Sequence, residues 1–183
     1  MYIENIQSPA DLKGMDIKTL NIVADEIRQA VLNRVSKHGG HVGPNLGFVE
    51  ATVALHYVFN APKDKFVFDV SHQCYPHKVL TGRASGFLGD VDDMNAISGY
   101  SSPAECPEYD NFEVGHTSTS ISLATGLQKA RDIKGNNEYI RTFVPFARAM
   151  AHASTTGLRH GALSINIWKK ETISKNLSKC SRA

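Results

Sequence analysis

Three histidines stand beside glycine or at the end of an apolar run rather than on an apolar helix face: His41 after Gly39 and Gly40, His72 after Phe68-Asp-Val-Ser, and His116 after Gly115. Near neutral pH an imidazole donates, accepts or carries a proton. Three of them held above one sheet form a set able to orient and protonate a reactive intermediate. The competing reading is that a loop histidine is commonly a surface or hydrogen-bonded structural residue, and spacing alone does not separate the two. A metal site built from these histidines is disfavoured. No His-x-x-x-His face with an acidic partner appears, and no cysteine lies at a matching interval. His56 falls within a helical stretch and reads as structural.

The elements that must carry these residues are legible from periodicity. Leu20, Val23, Ile27, Ala30 and Val31 recur at helical spacing, which predicts an amphipathic helix over Asp16–Lys37, ended by Gly39 and Gly40. Gly43, Pro44, Asn45 and Gly47 mark a loop, with Asn45 the expected cap of a second helix containing Val49, Val53, Leu55 and Val58. Lys65–Val70 is a β-rich run after a Pro-Lys-Asp turn signal and predicts a buried strand. In open α/β sheets ligands gather at the carboxyl ends of strands, where Ser71, His72 and Gln73 fall. Residues 84–113 are rich in Gly, Ser, Pro, Asp and Asn and predict a long irregular excursion. Gly115 to Ser120 then open a helix through Ile121, Ala124, Ala130 and Ile133, which Gly135 closes. The alternation of helices and strand gives an α/β class.

At 183 residues the expectation is one domain with one core. Hydrophobic content of 42% with 21% charged residues suits a globular chain, and no apolar run reaches the ~18 residues of a membrane span. Met1–Asp16 offers neither a basic start nor an apolar core, so no secretory signal is expected and the default location is cytoplasmic. Cys74, Cys106 and Cys180 are odd in number and widely separated, which fits a reducing compartment without a disulfide framework. The net charge of +2 conceals an asymmetry. Residues 1–140 hold 12 Lys+Arg against 17 Asp+Glu, whereas residues 141–183 hold 8 against the single acid Glu171. Those basic residues are scattered among Phe, Ile, Leu and Trp, so a nucleic-acid arm is not the expectation.

Three runs together carry a resemblance. His38-Gly-Gly-His-Val-Gly-Pro-Asn-Leu-Gly47, Phe68-Asp-Val-Ser-His-Gln-Cys-Tyr-Pro-His-Lys78 leading into Leu80-Thr-Gly-Arg83, and Val114-Gly-His-Thr-Ser-Thr-Ser120 occur in order. They resemble the three motifs of the N-terminal domain in 1-deoxy-D-xylulose-5-phosphate synthases, a transketolase-like family, from about residue 10 to about residue 140. The resemblance implies a thiamine-diphosphate enzyme that joins pyruvate to glyceraldehyde 3-phosphate with loss of CO2, serving isoprenoid, thiamine and pyridoxal synthesis. By matching positions it implies that His72, Gly115, His116 and Thr117 contact thiamine diphosphate and that His41 assists proton transfer. Ser71 and Cys74 stand where a glycine and a small residue are common in the family.

The likeness stops short of one motif. After residue 140 the family runs a buried strand into Gly-Asp-Gly, followed further on by an Asn, to hold Mg²⁺ on the diphosphate; residues 141–183 contain no Asp. The expectation is therefore a partial thiamine-diphosphate-binding domain over 1–140, with a mostly parallel sheet incomplete at its C-terminal side. Residues 141–183 are expected to form a divergent basic tail, out of frame or poorly packed. Such a chain is expected to be inactive alone. The alternatives are a non-catalytic remnant, self-associating or paired with an intact synthase, and one chain of a split enzyme.

Overall fold

The computed structural model describes residues 1–88 and 97–144, so part of the expected excursion and nearly all of the basic segment lie outside the described residues. Helix α1 spans Ile17–His38. Its start is fixed by Asp16, whose carboxylate accepts a 2.7 Å bond from the Thr19 N–H. Val23, Ala24, Ile27, Ala30, Val31 and Arg34 form its buried stripe at the spacing a helix face demands. Gly39 ends it at φ +73°.

Two helices follow where a loop and one helix were expected. The short α2 covers Val42–Leu46 and α3 covers Val49–Val58. Asn45 is therefore not the cap of α3; it lies within α2 and is fully buried, while Phe48 precedes α3. Val49, Thr52, Val53 and His56 are the buried face of α3. Lys13 closes its far end, donating 2.7 Å bonds to the carbonyls of Tyr57 and Phe59. Burial lowers the Lys13 pKa, with Asp64 pulling the other way.

Strands β1 (Lys65–Phe68) and β2 (Ile140–Phe143) pair in parallel, from Lys65 opposite Ile140 to Phe68 opposite Phe143. Parallel neighbours require a crossover. Helix α5 (Ser120–Lys134) lies on that crossover and packs on both strands. The α/β class is thus realised around a two-stranded parallel sheet among the described residues. The expected boundary at residue 140 falls inside β2, and Phe143 is buried. Phe66, Phe68 and Phe143 all face the α3 side. Phe48 lies 6.4 Å from Phe68 and 5.5 Å from Phe143, and His56 lies 5.0 Å from Phe66, ring centre to ring centre. Helix α4 (Tyr75–Lys78) runs into a further turn, Val79–Arg83, that breaks from helical geometry at Thr81 and Gly82. Among the described residues no helix is long and apolar enough to cross a membrane.

Candidate active site at the end of the first strand

Past Phe68 the chain leaves the sheet abruptly. Asp69 stays in line, donating its N–H to the Phe143 carbonyl at 2.8 Å. Val70 and Ser71 then adopt φ of +59° and +66°. The left-handed region disfavours both side chains, so this turn is strained and must be held by its surroundings. The holding bonds come from Ser71, fully buried: its hydroxyl donates to the Val114 carbonyl at 2.7 Å and accepts from the Ser101 N–H at 2.9 Å. A glycine would adopt this backbone geometry without strain. Here a serine accepts the strain and adds two bonds across the site.

The turn delivers His72 next to His41, whose residue opens α2. The two rings meet edge to face with centroids 5.5 Å apart. Tyr100 flanks His41 at 5.3 Å and Tyr75 at 6.4 Å. Gly40, at φ +132°, lets the backbone pass, since a Cβ there would come within 2.8 Å of the Tyr75 hydroxyl. The Nδ1 atom of His41 is buried and has no hydrogen-bond partner among the described residues. A buried imidazole nitrogen without a partner is costly for folding alone and is what a site that exchanges protons with a ligand leaves open. Burial raises the Tyr75 pKa, so its phenol stays protonated across the neutral range.

His116 is placed differently. Gly115, His116 and Thr117 form an exposed turn ahead of α5. The His116 carbonyl accepts a 2.9 Å bond from the Thr119 hydroxyl, and among the described residues no ring contact joins it to His41 or His72. The link to the histidine pair runs through Ser71, which holds the Val114 carbonyl beside that turn. Asp69, fully buried, reaches the same region, its carboxylate 3.4 Å from the Ser120 N–H in the first turn of α5. Two of the three histidines are thus brought together, and the third is tied to their turn only through the Ser71 hydroxyl and the Val114 carbonyl.

Sequence reasoning missed a second polar cluster, close to the first. His56 Nε2 lies 2.8 Å from His77 Nδ1, and His77 Nε2 lies 3.1 Å from Asp110 Oδ1. Arg83 donates to Asp110 Oδ2 at 2.8 Å and sits 3.4 Å from Glu105, to which Lys78 also donates at 2.7 Å. The chemistry fixes the protons. Hydrogen bonds from His77 and Arg83 overcome the effect of burial and hold the Asp110 carboxyl far below the usual range, so it accepts. His77 must then carry its proton on Nε2, His56 must donate from Nε2, and His56 Nδ1 is left bare and unpartnered. Burial lowers the pKa of both imidazoles, in His56 well below the ordinary value, and Asp110 only partly offsets this for His77. The available signal was the placing of His77, Lys78 and Arg83 around Val79 and Leu80, with Glu105 and Asp110 downstream to neutralise them. Cys74 beside them is inert, its thiol pushed up to about 12 by burial.

Among the described residues no three His, Cys, Asp or Glu side chains converge as metal ligands. Comparison with known proteins agrees with the motifs. The family described as 1-deoxy-D-xylulose-5-phosphate synthase matches residues 3–165. A 1-deoxy-D-xylulose-5-phosphate synthase of Dictyoglomus turgidum is 52% identical over 135 residues, covering 74% of this chain and 22% of the relative. One from Syntrophotalea carbinolica is 46% identical over 155 residues, covering 85% and 23%. One from Listeria monocytogenes is 50% identical over 135 residues, covering 74% and 22%. The chain thus spans less than a quarter of the length of these relatives. With its motifs in order and a family match across most of its length, the chain belongs to the 1-deoxy-D-xylulose-5-phosphate synthase family.

Proposed function

We propose that residues 1–140 are the N-terminal part of a thiamine-diphosphate-binding domain. The parent enzyme condenses pyruvate with glyceraldehyde 3-phosphate and releases CO2 in the cytoplasm, toward isoprenoid, thiamine and pyridoxal biosynthesis. The observation that carries this reading is the His41–His72 pair at the carboxyl end of β1, with the His41 Nδ1 buried and unpartnered. Thiamine diphosphate, when bound, supplies the carbanion chemistry. The residues present fit that cofactor in part. His41 is assigned proton transfer, its Nδ1 without a hydrogen-bond partner among the described residues. His72 lies against it as a cofactor contact. The Gly115-His116-Thr117 turn offers exposed backbone ahead of α5, and nothing lies within 4 Å of where a Gly115 side chain would project. A helix start of this kind suits a diphosphate.

Mg²⁺ does not fit in the same way. It needs hard oxygen ligands, and residues 141–183 contain no Asp. We read that segment as a divergent basic tail, with the change of character at residue 140 although the family match continues to residue 165. These 183 residues by themselves are therefore proposed to lack synthase activity. The alternative is a split or non-catalytic form that pairs with itself, with an intact synthase or with a chain supplying the metal ligands.

Calorimetric titration of the chain with thiamine diphosphate and Mg²⁺, alongside CO2 release from pyruvate, tests the proposal. Weak binding without CO2 is expected; tight binding with turnover overturns the inactive reading. Turnover restored by a second chain bearing the missing ligands identifies the split form. For the tail, the test is the DNA: another frame downstream of codon 140 encoding Gly-Asp-Gly is expected, and its absence overturns the out-of-frame reading.

A further inference from the structure

Asn45 is fully buried, and a buried amide is tolerated only where its donors and acceptor are met. Its partners are not those of a helix cap. Nδ2 donates to the His41 carbonyl at 2.6 Å and to the His72 carbonyl at 2.8 Å, while Oδ1 accepts from the Tyr75 N–H at 2.9 Å. The network fixes the amide orientation, since the reverse would set an oxygen against two carbonyls and an NH2 against an N–H. Three segments meet on this one side chain: the start of α2, the strained turn after β1, and the start of α4.

We infer that Asn45 is a positioning residue that sets His41 and His72 relative to each other. It touches neither imidazole; it acts through the backbone of both. A single nitrogen bonded to both carbonyls holds those two peptides at one separation, and each ring hangs from one of them. The turn bearing His72 is left-handed at Val70 and Ser71 and so needs restraint from outside. Ser71 supplies it on the side of the His116 turn, and Asn45 supplies it on the side of His41. The Tyr75 bond adds orientation, because it keeps the amide from rotating away. The inference rests on the proposed cofactor reading only for its functional meaning; the positioning itself needs no cofactor.

The test uses the full chain, isotope-labelled on histidine and asparagine, observed by NMR. In the unsubstituted chain both Asn45 side-chain amide protons should resist solvent exchange. Exchange as fast as that of a surface asparagine overturns the inference without any variant. In Asn45→Ala the ring signals of His41 and His72 should move while those of His56, His77 and His116 stay. Equal movement of all five, or none, overturns it. Asn45→Asp keeps the acceptor for Tyr75 and loses both donors, so it should reproduce the same selective shift if Asn45→Ala does not fold. Adding thiamine diphosphate with Mg²⁺ separates the two claims. If the unsubstituted chain responds at His41 and His72, Asn45→Asp, which loses two hydrogen bonds, should need at least about tenfold more ligand; an unchanged requirement overturns the inference. If the unsubstituted chain does not respond, the cofactor reading fails, and the exchange and ring-shift results alone decide the role of Asn45.

Discussion

His56 and His77 lie edge to edge, nearly coplanar and joined by a ring hydrogen bond with centres 5.0 Å apart, whereas His41 and His72 meet edge to face at 5.5 Å, and the two pairs are held in different ways. The first pair is enclosed, its protons assigned by an ionised Asp110, and it is bracketed by Lys78, Arg83 and Glu105. Its side chains hold α3, α4 and the segment around Asp110 together. The second pair is held by backbone: Asn45 and Ser71 restrain the peptides, and the rings make few bonds of their own. Proximity of imidazoles therefore says little about role. What separates the two pairs is what restrains them: a ring-to-ring and ring-to-carboxylate chain in the first, bonds to the peptides that carry the rings in the second.

Stability measurements can break this contrast. The largest effect is expected for Arg83→Met, which leaves the buried Asp110 carboxylate without its guanidinium; a loss of about 3–5 kcal/mol in urea unfolding is expected. His77→Ala follows, at about 3 kcal/mol, because it opens a cavity beside Phe66 and Phe68, removes one of the donors to Asp110 and leaves the buried His56 Nε2 proton without its acceptor. His72→Ala, by contrast, should cost within about 1 kcal/mol. Equal losses for His72→Ala and His77→Ala would erase the distinction.

Acid sharpens it. The folded-state pKa of His56 and of His77 lies below the ordinary value of 6.5, so the unfolded chain binds the extra protons first. Stability should be flat above about pH 6.5 and fall below it, by about 1.4 kcal/mol per pH unit for each histidine. The Asp110 carboxyl, depressed in the fold, adds a second decline below its ordinary 3.8. Urea midpoints from about pH 8 to about pH 3 check the sign, and a midpoint that rises on acidification contradicts the neutral state of the two buried imidazoles. Ser71 offers a finer comparison between two substitutions at one position. Ser71→Ala keeps the strained turn and loses both bonds, for about 1–2 kcal/mol. Ser71→Gly loses the same bonds but relieves the left-handed backbone, and should be about 1 kcal/mol less damaging than Ser71→Ala.

Local chemistry made much of this molecule legible in advance. The stripe from Val23 to Val31, the Asp16 cap, the β run before Asp69 and the glycine closing α5 each follow from periodicity or from a backbone preference that acts within a few residues. The motif runs around His41, His72 and His116 likewise mark the family from sequence alone. Tertiary structure alone decided how distant polar groups pair. Asn45 read as a cap because its partners, His72 and Tyr75, lie about thirty residues away. His77 and Arg83 read as part of a signature because Asp110 reaches them only through a loop with no periodic pattern. A hydrogen bond between residues far apart in the chain leaves no spacing to read; only the fold brings donor to acceptor, and burial then makes the bond obligatory.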